Sequence, residues 1–133
     1  MQENSPATSG IPFLALIIPA YNEERRIKST LEKVTNYLQA QNYSWEVIVV
    51  DDGSTDMTAS VVSNFAKTHS GLSLLSIPHK GKGSAVRAGM LHTKGQYRFM
   101  CDADLSMPIE QLERFLPAKI GDYDIALGSR EIS

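Results

Sequence analysis

The stretch Leu14-Ala15-Leu16-Ile17-Ile18-Pro19-Ala20 (LALIIPA) has no polar side chain at any position. A half-exposed strand would alternate apolar and polar residues; a continuous run marks a strand buried on both faces. Such a strand needs helices above and below it, and the flanking sequence supplies them. Residues 23–41 place Ile27, Leu31, Val34 and Leu38 on one helical face. Residues 45–50 (WEVIVV) form a second buried strand. A helix over 55–69 follows, with Val61, Val62, Phe65 and Ala66 inward and Ser54 or Asp56 as its cap. A strand at 72–77 is stopped by Pro78. The alternation continues with a helix at 83–93, a strand at 96–101, a helix at 108–119 opening on Pro108, and a strand at 123–127. Strand–helix alternation with buried strands predicts the α/β class: a Rossmann-like parallel sheet with helices on both faces and right-handed crossovers.

Bulk properties narrow the function. The chain has 133 residues, enough for one domain with a real core. Lys plus Arg is 13 against 15 Asp plus Glu, a formal charge of -2, which argues against a dedicated nucleic-acid-binding module. The single cysteine, Cys101, excludes a disulfide framework or a multi-cysteine zinc site and reads as a buried strand residue. Residues 1–12 read as a flexible leader without the basic region of a secretory signal, and residues 13–133 as the folded domain. The apolar stretch at 13–18 is too short to span a bilayer, so the expected location is cytoplasmic.

In sheets of this type, ligands bind outside the carboxyl ends of the strands. Polar clusters fall at those ends: Tyr21-Asn22-Glu23, Asp51-Asp52-Gly53-Ser54, Pro78-His79-Lys80, Asp102-Ala103-Asp104 and Ser129-Arg130. Asp102 and Asp104 offer oxygen ligands that suit Mg²⁺ or Mn²⁺, with substrate phosphates completing the shell. The structural alternative is a loop pair capping the next helix. Asp52 has the chemistry to accept a hydrogen bond from a base or a ribose hydroxyl, although Gly53 and Ser54 read as turn residues. Adjacent Asp51 and Asp52 repel, so at least one needs a partner. Tyr21 can flank a base; Glu23 can bond a base edge or ribose, or simply favour a helix N-terminus. The loop His79-Lys80-Gly81-Lys82-Gly83-Ser84 can approach phosphate, yet it matches neither a Walker loop nor a dinucleotide fingerprint. Arg130 has the fork to clamp a phosphate. His69, His92 and Trp45 read as structural.

The ordered segments IIPAYNE (17–23), VVDDGSTD (49–56), KGKGSAVRAG (80–89), DADLSMP (102–108) and GSR (128–130) resemble family 2 glycosyltransferases of GT-A fold. Within that family the likeness is to polyprenyl- and dolichyl-phosphate hexosyltransferases, with DADLSMP and GSR leaning towards the UDP-glucose branch. The resemblance implies an inverting, metal-dependent enzyme that moves a hexose, here glucose, from a nucleotide-diphosphate sugar to an acceptor such as a polyprenyl phosphate. It implies Pro19, Tyr21, Glu23, Val50 and Asp52 at the nucleoside. Asp102, Ala103 and Asp104 would meet ribose, diphosphate and metal, and Arg130 would lie near the phosphates or the acceptor. Asp104 and Arg130 are the expected catalytic residues, with Lys82 a further diphosphate contact. Ser106 stands where the mannosyl branch commonly has glutamine, which weakens a GDP-mannose assignment. Family members usually run about a hundred residues further, so the expectation is a donor-binding part truncated at its C-terminus. The flank so exposed could support a homodimer, and a longer form could sit peripherally at the cytoplasmic membrane face. The competing readings are a donor-binding fragment without catalysis and a nucleotidyltransferase. A signalling receiver domain would carry its acidic pair after the first strand, where PAYNE stands.

Overall fold

A computed structural model describes residues 11–105 and 108–115. The elements run β1 (Leu14–Ala20), α1 (Ile27–Gln39), β2 (Trp45–Asp51), α2 (Thr58–Ala66), β3 (Leu72–Ser76), α3 (Lys82–His92), β4 (Tyr97–Met100) and a 3₁₀ turn (Ile109–Phe115). Among the described residues the strands pair in parallel, in the order β3-β2-β1-β4. The expected strand at 123–127, the Gly128-Ser129-Arg130 segment, Ser106 and most of the leader lie outside the described residues.

β1 is buried along its full length, as its unbroken apolar run requires. Its side chains alternate between two cores. Leu14, Leu16, Ile18 and Ala20 pack with α1 (Ile27, Leu31, Val34, Leu38), with Val62 and Phe65 of α2, and with Ile109 and Leu112. Ala15 and Ile17 pack on the opposite face with Ile48, Val50 and Ala85 of α3. The sheet is therefore covered on both sides. The second core is thin because α3 sits very close: a Cβ added to Gly89 would lie 2.6 Å from Ile17 Cγ2.

Element ends differ from the sequence expectation for identifiable reasons. The helix expected from residue 23 begins at Ile27, because the Glu23 and Glu24 N–H groups donate to Thr58 Oγ1 and Asp56 Oδ2 of the neighbouring loop. The helix expected from residue 55 begins at Thr58, because Thr55 N–H donates to Asn22 Oδ1 and Asp56 Oδ1 accepts Thr58 N–H. The α-helix expected over 108–119 is a 3₁₀ turn in its described part. Ile109 and Leu112 are both buried in it, at a spacing that a three-residue period stacks on one side.

Candidate functional site

The strand order reverses between β2 and β4 on either side of β1, so the carboxyl ends of these strands open a crevice at the switch. A cleft of about 370 Å³ lies there, lined by Pro19, Ala20, Tyr21, Glu23, Asp52, His79, Gly81, Lys82, Ala85, Asp102, Ala103 and Asp104. Its size falls within the range of small-molecule sites. Residues 19–23 come from the end of β1, Asp52 from β2, 79–82 from the β3–α3 loop and 102–104 from β4. The structure thus gathers Pro19, Tyr21, Glu23, Asp52, Lys82, Asp102, Ala103 and Asp104 in one space. Val50 is the exception among the described residues: it is fully buried in the core beneath α3 and lines no part of the cleft.

The acidic pair after β2 splits its duties. Asp51 Oδ1 accepts the Ser54 N–H at 3.3 Å and so shapes the turn. Gly53 in that turn has φ +71°, and the His79 backbone nitrogen would lie 2.7 Å from an added Cβ, so glycine is required on both counts. Asp52, 3% exposed, reaches across to the β3–α3 loop. Its Oδ1 accepts Lys80 N–H at 2.9 Å; its Oδ2 accepts Gly81 N–H at 2.9 Å and faces His79 Nδ1 at 2.9 Å. Burial pushes the Asp52 carboxyl up, but the bonds from Lys80, Gly81 and His79 together outweigh it and hold the group below its ordinary value. The Asp52 carboxylate is thus engaged within the chain, as the clamp that holds the basic loop over the cleft.

His79 is the residue that sequence reasoning undervalued. It was legible only as part of the polar loop after the third strand, yet its ring stacks on Tyr21 with centroids 4.2 Å apart and 19° between planes. Together the two rings make one aromatic wall. No local signal marks His79, because its partners Tyr21 and Asp52 belong to other strands.

Asn22 ties the loop after β1 to the loop after β2. It adopts a left-handed backbone (φ 54°), donates its N–H to Ser54 Oγ at 2.8 Å and accepts Thr55 N–H at 2.8 Å. Its neighbour Glu23 holds Arg26 through Oε1, at 2.9 Å from Nε and 2.6 Å from Nη2. The hydrogen bond and charge of Glu23, with a smaller contribution from Asp104, raise the Arg26 guanidinium above its ordinary value.

At the end of β4, Thr30 Oγ1 of α1 donates to the Ala103 carbonyl and Leu105 N–H closes a turn on the Asp102 carbonyl at 2.9 Å. Asp102 Oδ1 lies 2.6 Å from Lys82 Nζ. Cys101 is buried, and burial first, then the charges of Asp102 and Asp104, push its thiol up to about 12. That thiol is inert at neutral pH. Asp102 already binds a cationic partner, and the donors are all oxygen, which suits Mg²⁺ or Mn²⁺ with water and phosphate completing the shell. Among the described residues no cluster of three or more His, Cys, Asp or Glu side chains forms a metal site by itself.

A parallel α/β sheet with an acidic pair, a basic loop and an aromatic wall at its switch point defines the class as a GT-A-type domain. The profile of glycosyl transferase family 2 matches residues 15–133, and the chain belongs to that family. It is 41% identical over 129 residues to a dolichyl-phosphate beta-glucosyltransferase of Trichomonas vaginalis, covering 89% of this chain and 40% of the relative. With the Drosophila melanogaster dolichyl-phosphate beta-glucosyltransferase it shares 37% identity over 96% of this chain and 42% of the relative. The chain thus spans about two fifths of these relatives. Among solved structures, a mannosyltransferase from Pyrobaculum calidifontis in complex with GDP-Man and Mn²⁺ superposes with a TM-score of 0.62 at 32% identity, over 80% of this chain and 32% of that one. The glucosyl-3-phosphoglycerate synthase of Mycobacterium tuberculosis, in complex with Mn²⁺, UDP and its product, gives 0.62 at 26% identity, over 82% of this chain and 39% of that one.

Proposed function

We propose that this chain carries the donor site of an inverting glucosyltransferase that takes glucose from UDP-glucose and delivers it to a polyprenyl phosphate. The observation that carries the reading is the shared cleft: residues from the ends of β1, β2 and β4 and from the β3–α3 loop line one space. The glucosyltransferase relatives support the sugar and the lipid phosphate; solved relatives with UDP or GDP-Man and Mn²⁺ support a nucleotide sugar and a divalent cation.

In this reading Tyr21 and His79 flank the nucleoside, with Pro19 and Glu23 beside it. Asp52 acts by holding the loop that presents Lys82. Asp102 and Asp104 would hold Mg²⁺ or Mn²⁺, whose charge would make the diphosphate a better leaving group. Lys82, and Arg130 beyond the described residues, stabilise negative charge on the departing diphosphate. A lipid phosphate acceptor is already an anion, so attack at the anomeric carbon needs no strong general base. No helix among the described residues is long and apolar enough to cross a membrane. In this reading the lipid phosphate is met at the cytoplasmic membrane face.

The test is calorimetric titration of the chain with UDP, UDP-glucose and GDP-mannose, each with and without Mn²⁺. Metal-dependent preference for the uridine nucleotides is expected; a folded sample that binds none of them would refute the reading.

A further inference from the structure

We infer that Lys82 is a placeholder cation: its ammonium occupies Asp102 until a divalent ion takes that oxygen, and the displaced side chain then turns to the donor diphosphate. The inference rests on the reading that Asp102 and Asp104 hold the metal, and adds an exchange that couples metal to nucleotide.

Three observations carry it. First, Lys82 Nζ sits 2.6 Å from Asp102 Oδ1, inside the cleft that both residues line. A metal ion on that oxygen would compete for the same lone pairs and repel the ammonium, so the two cations exclude one another there. Second, the Asp102 side chain is only 11% exposed while that of Lys82 is 40% exposed. An ion pair to so shielded a carboxylate stabilises the metal-free site, and the more exposed partner is the one with room to move. Third, the base of the lysine is anchored at the start of a helix. Lys82 is the first residue of α3, and the preceding Gly81 (φ +109°) is tied to Asp52 Oδ2 through its N–H. A flexible four-carbon stem from a fixed anchor lets a compact charge move between two anions, which a planar arginine fork does less readily.

Two couplings follow. Without nucleotide, Lys82 opposes metal binding. With nucleotide, the diphosphate draws Lys82 away, so UDP tightens metal binding and, by linkage, metal tightens UDP binding.

The experiment titrates Mn²⁺ into the full chain, following the paramagnetic resonance signal of free Mn²⁺, with and without saturating UDP. Parent, Lys82→Met, Lys82→Gln and Asp102→Asn are compared. Without UDP, both lysine variants should bind Mn²⁺ about 5- to 20-fold more tightly than the parent, and UDP should tighten their Mn²⁺ binding much less. Their metal-free melting temperatures should fall, and Mn²⁺ should raise them by more than it raises the parent's. Unchanged or weaker Mn²⁺ binding in both lysine variants, with binding lost in Asp102→Asn, overturns the exchange while leaving the metal site standing. Mn²⁺ binding that survives Asp102→Asn intact, or that is absent in every protein even with UDP, overturns the metal site and the exchange with it.

Discussion

Asp52 has two descriptions that point to different experiments. As an acidic residue at a strand end it invites a direct role at a ribose or base; in the structure its two oxygens collect Lys80 N–H, Gly81 N–H and His79. Asp52→Asn should therefore destabilise the fold by about 1.5–3 kcal/mol, the usual scale for bonds to a charged group, measured by urea unfolding at neutral pH. The sign of its pH dependence is defined. A carboxyl held below its ordinary 3.8 contributes stability above that pH and loses it as the pH falls through the lower folded value. Acid unfolding should be less steep in Asp52→Asn than in the parent. Asp104→Asn tests different chemistry. If Asp104 shares the metal, turnover in an active full-length enzyme should fall by at least about 10²-fold, equivalent to about 2.7 kcal/mol of barrier, at saturating Mn²⁺. Equal turnover would remove Asp104 from the reaction.

Among the elements, α3 and the two loops beside Asn22 set the shape of the cleft. α3 presses on β1 so closely that Gly89→Ala places a methyl 2.6 Å from Ile17, a fully buried side chain. Overpacking of this kind should cost about 1–3 kcal/mol, read as a shift in denaturant midpoint with an unchanged slope. The loop after β1 is tied to the loop after β2 through Asn22 and its bonds to Ser54 and Thr55. Alanine at 22 loses both the side-chain acceptor and the tolerance for φ 54°, whereas glycine loses only the first. Melting temperatures should order as parent, then Asn22→Gly, then Asn22→Ala. Equal values for the two variants would show that the left-handed backbone carries no cost. The positions of β1 and β2 were readable from hydrophobic runs alone, because burial on both faces leaves little room for polar residues. The starts of α1 and α2 were not, because the residues ahead of them are tied across to each other's loops, Glu23 to Thr58, Glu24 to Asp56 and Thr55 to Asn22. The turn after Pro108 escaped because the apolar pair Ile109 and Leu112, three residues apart, fits either helical period.

For the molecule as a whole, ligand binding and folding are linked. UDP with Mn²⁺ at about 100 times its Kd should stabilise the folded chain by about 2.7 kcal/mol, and UDP without metal by much less. Trp45, fully buried and the only tryptophan in the chain, reports that transition by fluorescence. The site was legible in outline, since polar clusters ending successive parallel strands must share one edge of the sheet. Val50, which the family resemblance put at the nucleoside, does not follow from that logic. It stands next to the acidic pair in sequence, but strand alternation turns it into the core beneath α3. From its own sequence this protein derives the sheet, its buried strands and the edge where the polar residues gather, because those depend on hydrophobic periodicity within a few residues. Only tertiary structure decided that Asp52 clamps the basic loop, that His79 stacks on Tyr21 and that Lys82 meets Asp102. Each of those pairs joins separate strand ends, and the parallel register and the close seat of α3 bring them within bonding distance.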